Sequence, residues 1–150
     1  MAGVFTGQVS EIALASSTAK NVLYLKAASD RTVRLLEVSF SIEESDPSLA
    51  STLIELYRVA SGTVSGTAVS LASGDRKLDT EDADYDSTCK HSVTGLTLAT
   101  APVVSEYVAK GWTYRPASPL MLRPGEEIVL KATPPASNLT CAARFVWQEV

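Results

Sequence analysis

One histidine, two cysteines and two methionines are all the soft side chains this 150-residue chain contains. With His91 as the sole imidazole, a multi-histidine metal site is excluded, and no Ser-His-Asp set is legible around it. Cys89 and Cys141 allow one disulfide without requiring it. Cys141 falls on the apolar face of the last strand, so two buried free thiols are expected. No window approaches the roughly 18 apolar residues of a spanning helix. The first residues lack the basic start and long apolar run of a secretory signal, so the chain is expected to be made in the cytoplasm. A basic surplus is absent too: 13 Lys and Arg face 17 Asp and Glu, a net charge of −4. That balance argues against a general nucleic-acid binder and against default attachment to an anionic membrane. The Gly/Ser/Thr run Ser61–Thr67 has no lysine after its second glycine, so it is no phosphate loop. No cofactor motif is present.

What the chain does have is strand periodicity. Its 45% hydrophobic and 20% charged content is ordinary for a self-sufficient globular domain. Leu23, Leu25 and Ala27 alternate with Val22, Tyr24 and Lys26. Leu36, Val38, Phe40 and Ile42 alternate with Glu37, Ser39 and Ser41. Residues 52–60 are apolar on both faces; a helical reading through Leu49, Leu53, Leu56 and Tyr57 competes there, and the flanking strands favour strand. Pro124-Gly125 predicts a type II turn over Arg123–Glu126. Beyond it, Ile128, Leu130 and Ala132 alternate with Val129, Lys131 and Thr133. Pro134-Pro135 ends that ladder, having no N–H to donate. The last strand sets Leu139, Cys141, Ala143, Phe145 and Trp147 on one face.

About eight or nine short strands, with turn signals between them and little helix, predict an all-β antiparallel β-sandwich of jelly-roll type. Residues 1–10 read as a flexible N-terminal arm and residues 11–150 as a single domain. Leu36, Val38, Phe40, Ile128, Leu130, Phe145 and Trp147 are expected in the core. Ser61–Thr67 reads as a loop.

Chemistry-bearing candidates are few. Asp82, Asp84 and Asp86 have the spacing that starts a calcium loop. Ser87 stands where the sharp-turn glycine is needed and Val93 where the bidentate glutamate is needed, so no metal site is expected. Cys89 and His91 share a strand face but no third orienting group is evident. Asn138-Leu139-Thr140 matches a glycosylation sequon and reads as a strand start. Tyr107, Trp112 and Tyr114 are candidates for a platform on which a sugar stacks, which makes a carbohydrate-binding β-sandwich module the alternative reading.

The order of features supplies one further expectation. A Val-Arg-Leu-Leu-Glu-Val-Ser-Phe strand is followed by Leu-Ile-Glu-Leu-Tyr-Arg-Val running into a Gly/Ser/Thr loop. An acidic middle comes next. Pro-Leu-Met-Leu-Arg-Pro-Gly-Glu-Glu-Ile-Val-Leu and an aromatic last strand complete the chain. Over roughly residues 20–150 this order resembles small virion proteins of tailed bacteriophages, in particular capsid decoration (cement) proteins. The resemblance implies a non-enzymatic protein on the capsid exterior, a homo-oligomer (most simply a trimer) and the major capsid protein lattice as partner. Apolar residues on both faces of 22–28 and 52–60 point the same way, towards an oligomer that buries outer faces. Candidate partner contacts are Val4 and Phe5 in the arm and Asp79, Asp82 and Asp84 in the acidic loop.

Overall fold

The computed structural model describes residues 3–43, 51–69, 76–77 and 87–150. Among them there is no helix. Eleven strands follow in order: β1 Gly3–Leu14, β2 Lys20–Lys26, β3 Val33–Ile42, β4 Thr52–Ala68, β5 Arg76–Lys77, β6 Thr88–Leu98, β7 Val104–Val108, β8 Gly111–Tyr114, β9 Leu120–Leu122, β10 Glu127–Thr133 and β11 Leu139–Glu149. All ladders are antiparallel. The strands beyond the expected eight or nine are the short pieces β5, β8 and β9, too brief to show a period.

One sheet runs β5-β1-β11-β3-β8, with β9 also on β3. The other is β10-β2-β6-β4-β7, and β10 additionally pairs with β4. That extra ladder closes β10, β2, β6 and β4 into a four-strand ring. The all-β, two-sheet expectation therefore holds, while a jelly roll, built from two open sheets, does not describe the closed ring.

The main core lies between the sheets. Phe5, Leu35, Val38, Phe40, Phe145 and Trp147 come from the first sheet; Leu23, Leu25, Ile54, Leu56, Ile128 and Leu130 come from the second. Every inward residue expected of β11 is buried. At Arg123–Glu126, the Glu126 N–H donates to the Arg123 carbonyl at 2.9 Å and Gly125 sits at φ +82°, the left-handed position a type II turn requires.

Leu36 is the exception in the expected core. The β3–β11 register shifts between Val146 and Trp147, pairing Val146 with Glu37 but Trp147 with Leu35. Leu36 is the extra residue of that bulge, and it is half-buried. The inward set becomes Val33, Leu35, Val38, Phe40 and Ile42, because a bulge shifts the two-residue period by one.

The N-terminal stretch is a second correction. It is no arm: β1 pairs with β11 from Gly3↔Glu149 to Leu14↔Leu139. A shift between Val9 and Ile12 marks a bulge. There Glu11 takes φ 57°, and its N–H donates to the Glu43 carboxylate at 3.1 and 3.3 Å.

The third correction concerns 61–67. β4 does not stop at Ala60; it bends and continues to Ala68. Residues 53–58 pair with β10, while residues 59–68 pair with β6 through three register shifts. Glycine permits this tight closure. A Cβ at Gly62 (φ +110°) would lie 2.3 Å from the Gly95 carbonyl oxygen, and one at Gly95 (φ +84°) would lie 2.3 Å from that of Thr63.

Inside the ring sits a second core of Tyr24, Val93 and Val129, flanked by Tyr57, Val59, Val64, Leu96 and Leu98. This explains why β2 and β4 are apolar on both faces. One face meets the other sheet and the other fills the ring, so the two-faced pattern needs no neighbouring subunit. The Tyr24 hydroxyl donates to Glu127. Burial first, then that bond and the charge of Glu127, push the phenol above its usual range.

Candidate functional site

The sequence-derived candidates disperse in three dimensions. Phe5 is 1% exposed and packs against Trp147, with ring centroids 6.1 Å apart. It belongs to the core and is not offered to a partner. Val4, on the opposite side of β1, is half-buried. Asp79, Asp82 and Asp84, with Asp86, lie outside the described residues.

The three rings of the carbohydrate reading do not form one platform. Trp112 and Tyr114 are stacked, with centroids 5.9 Å apart and planes within 2°. They stand opposite Phe40 and Val38 and pack against the main core. Tyr107 stands opposite Leu53 in the other sheet, one position out of phase with the inward Ile54 and Leu56.

Cys89 and Cys141 are buried free thiols. Burial, chiefly, pushes the Cys141 thiol up to about 12, so it is unreactive at neutral pH. His91 Nδ1 lies 3.1 Å from Ser92 Oγ. Burial and then the Lys20 charge lower its pKa, which keeps the ring neutral at pH 7. The Asn138 side chain has a local role: its Oδ1 accepts the Ser16 N–H at 2.9 Å, tying the β10–β11 loop to the β1–β2 turn. Among the described residues no group of three or more His, Cys, Asp or Glu is placed to hold a metal ion.

Two surfaces remain. The first is the outer face of the β1, β11, β3 and β8 sheet. There an open trough of about 470 Å3 runs across Gln8, Ser39, Ser41, Thr113, Ala142 and Arg144. Its floor is shallow because serine and alanine project little. At its rim Glu37 is held by Arg144, by Arg115 at 3.0 Å and by the Ser39 hydroxyl at 2.9 Å. Glu37 and Arg144 both occupy outward positions of adjacent strands, but 107 residues separate them, so only the β3–β11 register reveals the pair.

Burial pushes the Glu37 carboxyl up, but the bonds from Ser39, Arg144 and Arg115 outweigh it, and its pKa is lowered. A lowered folded-state pKa gives stability that is present above the ordinary value of 4.5. That stability is lost as pH falls through the folded value. Glu37→Gln is therefore expected to flatten the decline of the denaturation midpoint below about pH 4.5. Equal acid slopes in the two proteins would show that the cluster is not linked to folding.

The second surface is the side where both sheets end. Among the described residues β7 pairs only with β4, and β8 only with β3. Two residues join these strands, so their outer edges start from one corner. Tyr107 (74% exposed), Val103 and Met121 are three of the four exposed large apolar residues among those described. Val103 and Met121 are linked through β4: the Val103 N–H donates to the Leu56 carbonyl at 2.7 Å. Arg58, two residues along, donates to the Met121 carbonyl at 3.1 Å and to Glu126 at 3.4 Å. Unsatisfied edge groups beside exposed apolar side chains are how a sheet presents itself for association. Of these residues only Tyr107 is a sequence candidate, and it is one as a ring for stacking on a sugar, not as part of an edge.

No family model matches the chain, and no curated protein matches it.

Proposed function

We propose that this protein is a non-enzymatic structural component of a tailed-phage virion. In this reading it binds the capsid exterior as a homo-oligomer, most simply a trimer, and stabilises the lattice of the major capsid protein. Two things support the reading. One is the resemblance in the order of sequence features over residues 20–150. The other, which carries it structurally, is the side bearing the β7 and β8 edges with exposed Tyr107, Val103 and Met121. The sandwich-like body of the decoration proteins agrees with the two-sheet core, with the closed ring as a departure from it.

Because Phe5 is internal, docking is assigned to this edge side instead of to an N-terminal arm. The carbohydrate alternative loses support, since Tyr107 and the Trp112–Tyr114 stack lie on different faces of different sheets.

Light scattering on the eluting protein tests the oligomer, and co-sedimentation with capsids tests the partner. Tyr107→Ser with Val103→Ser is expected to weaken both at least tenfold, with little change in the denaturation midpoint, because neither side chain is buried. A monomer that fails to sediment with any capsid and is retained on a polysaccharide column would replace this reading with the carbohydrate one.

A further inference from the structure

We propose that the open mouth of the four-strand ring binds a small aliphatic carboxylate. The ring has two unlike ends. At one, Glu127 pairs with Lys26 and the Tyr24 hydroxyl bonds to Glu127, which places a polar plug across the interior. At the other, where Lys131 pairs with Asn21, the ring opens into a cavity of about 350 Å3. It is lined by Lys20, Asn21, Val93, Leu96, Leu98 and Lys131.

This end joins two chemistries. Val93, Leu96 and Leu98, all from β6, make an aliphatic wall continuous with the ring's own core. Lys20 of β2 and Lys131 of β10 add two cationic side chains to the same lining. The Lys131 Nζ lies 5.4 Å from the centre of the Tyr57 ring, which holds the cation against apolar surface. The Lys20 Nζ donates to the Ala13 carbonyl at 3.0 Å and keeps two further N–H groups. The nearest acid in register with Lys131 is Glu55, which already accepts the Tyr57 hydroxyl at 2.8 Å.

A ligand suited to this end has an anionic head for the ammonium groups and a short saturated tail for the β6 wall. The cavity residues include no arginine and no aromatic ring, so planar phosphate recognition and base stacking are poorly served. A neutral sugar would bring the two cations no opposite charge. The inference rests on the ring alone and does not depend on the virion reading.

The test is titration of the isotope-labelled full-length protein with octanoate at pH 7, followed by amide chemical shifts. Saturable shifts centred on Asn21, Val93, Leu96, Leu98 and Lys131 are expected, with octanol and acetate each binding at least tenfold more weakly. Lys20→Gln with Lys131→Gln should weaken octanoate about tenfold or more, as for lost hydrogen bonds between charged groups. Leu98→Asp should abolish binding, and Leu98→Met, which keeps the wall apolar, should retain it. Shifts that never saturate or centre elsewhere overturn the proposal. Octanol binding as well as octanoate removes the role of the ammonium groups, and acetate binding as well removes that of the wall; either result also overturns it. So does binding of phosphatidylglycerol vesicles without any free-octanoate site, which would make the mouth a lipid-surface contact.

Discussion

Alanine at Gly95 is expected to open the four-strand ring. The backbone there has φ +84°, and the added Cβ would lie 2.3 Å from the carbonyl oxygen of Thr63. Strain at a left-handed position costs about 1–3 kcal/mol, and the overlap adds roughly another 1–3 kcal/mol of the kind seen on overpacking. No side-chain rotation relieves it, since the atom struck belongs to the main chain. Gly62 stands in the reciprocal position against Gly95, so the two strands cannot part on one side without straining the other. Against a typical domain stability of about 5–15 kcal/mol, the loss is large. The structure also says where it should fall. Amide exchange should accelerate in Val93, Leu96 and Leu98 of β6 before it does in Phe145 or Trp147 of β11, because the ring has its own small core and the sheets share another. An unchanged denaturation midpoint would mean that the β4 and β6 backbones do not approach as closely as the ring requires.

The same glycines explain what the sequence hides. Ser61–Thr67 has loop composition, and local reasoning makes it a loop. Its glycines answer instead to a strand about thirty residues away, and nothing in the window reports that distance. β11 was legible for the opposite reason: one of its faces is buried along its length, so its alternation is unbroken from Leu139 to Trp147. β3 was half legible. Its alternation is real on either side of Leu36, but the bulge sets the two halves one residue out of phase, and a reading that carries the later phase back through Leu36 assigns the wrong leucine to the core. The double apolar faces of β2 and β4 were read correctly as double burial. The chain itself, folded into a ring, supplies cover for the second face, so the pattern alone does not call for a neighbouring subunit.

The site followed the same division. Tyr107 is visible in one dimension only as a ring near Trp112 and Tyr114, the stacking platform that the fold does not assemble. The Glu37–Arg144–Arg115 cluster and the lysine-rimmed mouth of the ring arise from register between distant strands. Each of their residues, taken alone, is an ordinary surface charge.

Phe5→Ala is expected to cost about 3–5 kcal/mol, the range for truncating a buried phenylalanine. Phe5 is the outermost large side chain of β1, yet it is 1% exposed and rests against Trp147. The neighbouring backbone is fitted to the same ring. A Cβ at Gly7 would lie 2.8 Å from Cys89 Sγ and 3.1 Å from the Trp147 ring, so Trp147 fills the space a larger residue would need. Thr6 Oγ1 donates to the Phe145 carbonyl at 3.2 Å. Deleting residues 1–8 should therefore do more than shorten the chain. It removes Phe5, uncovers Trp147 and exposes the β11 edge from Arg144 to Glu149 that β1 covers, and an uncovered edge favours aggregation. Loss of particle binding by that deletion would accordingly say nothing about a docking arm. Val4→Ser is the discriminating variant: Val4 lies on the other face of β1, and changing it leaves Phe5 in place. If Val4→Ser abolishes particle binding at an unchanged denaturation midpoint, β1 itself touches the partner and the assignment of docking to the β7 and β8 side fails. If Phe5→Ala leaves the midpoint unchanged, β1 is not part of the fold in solution.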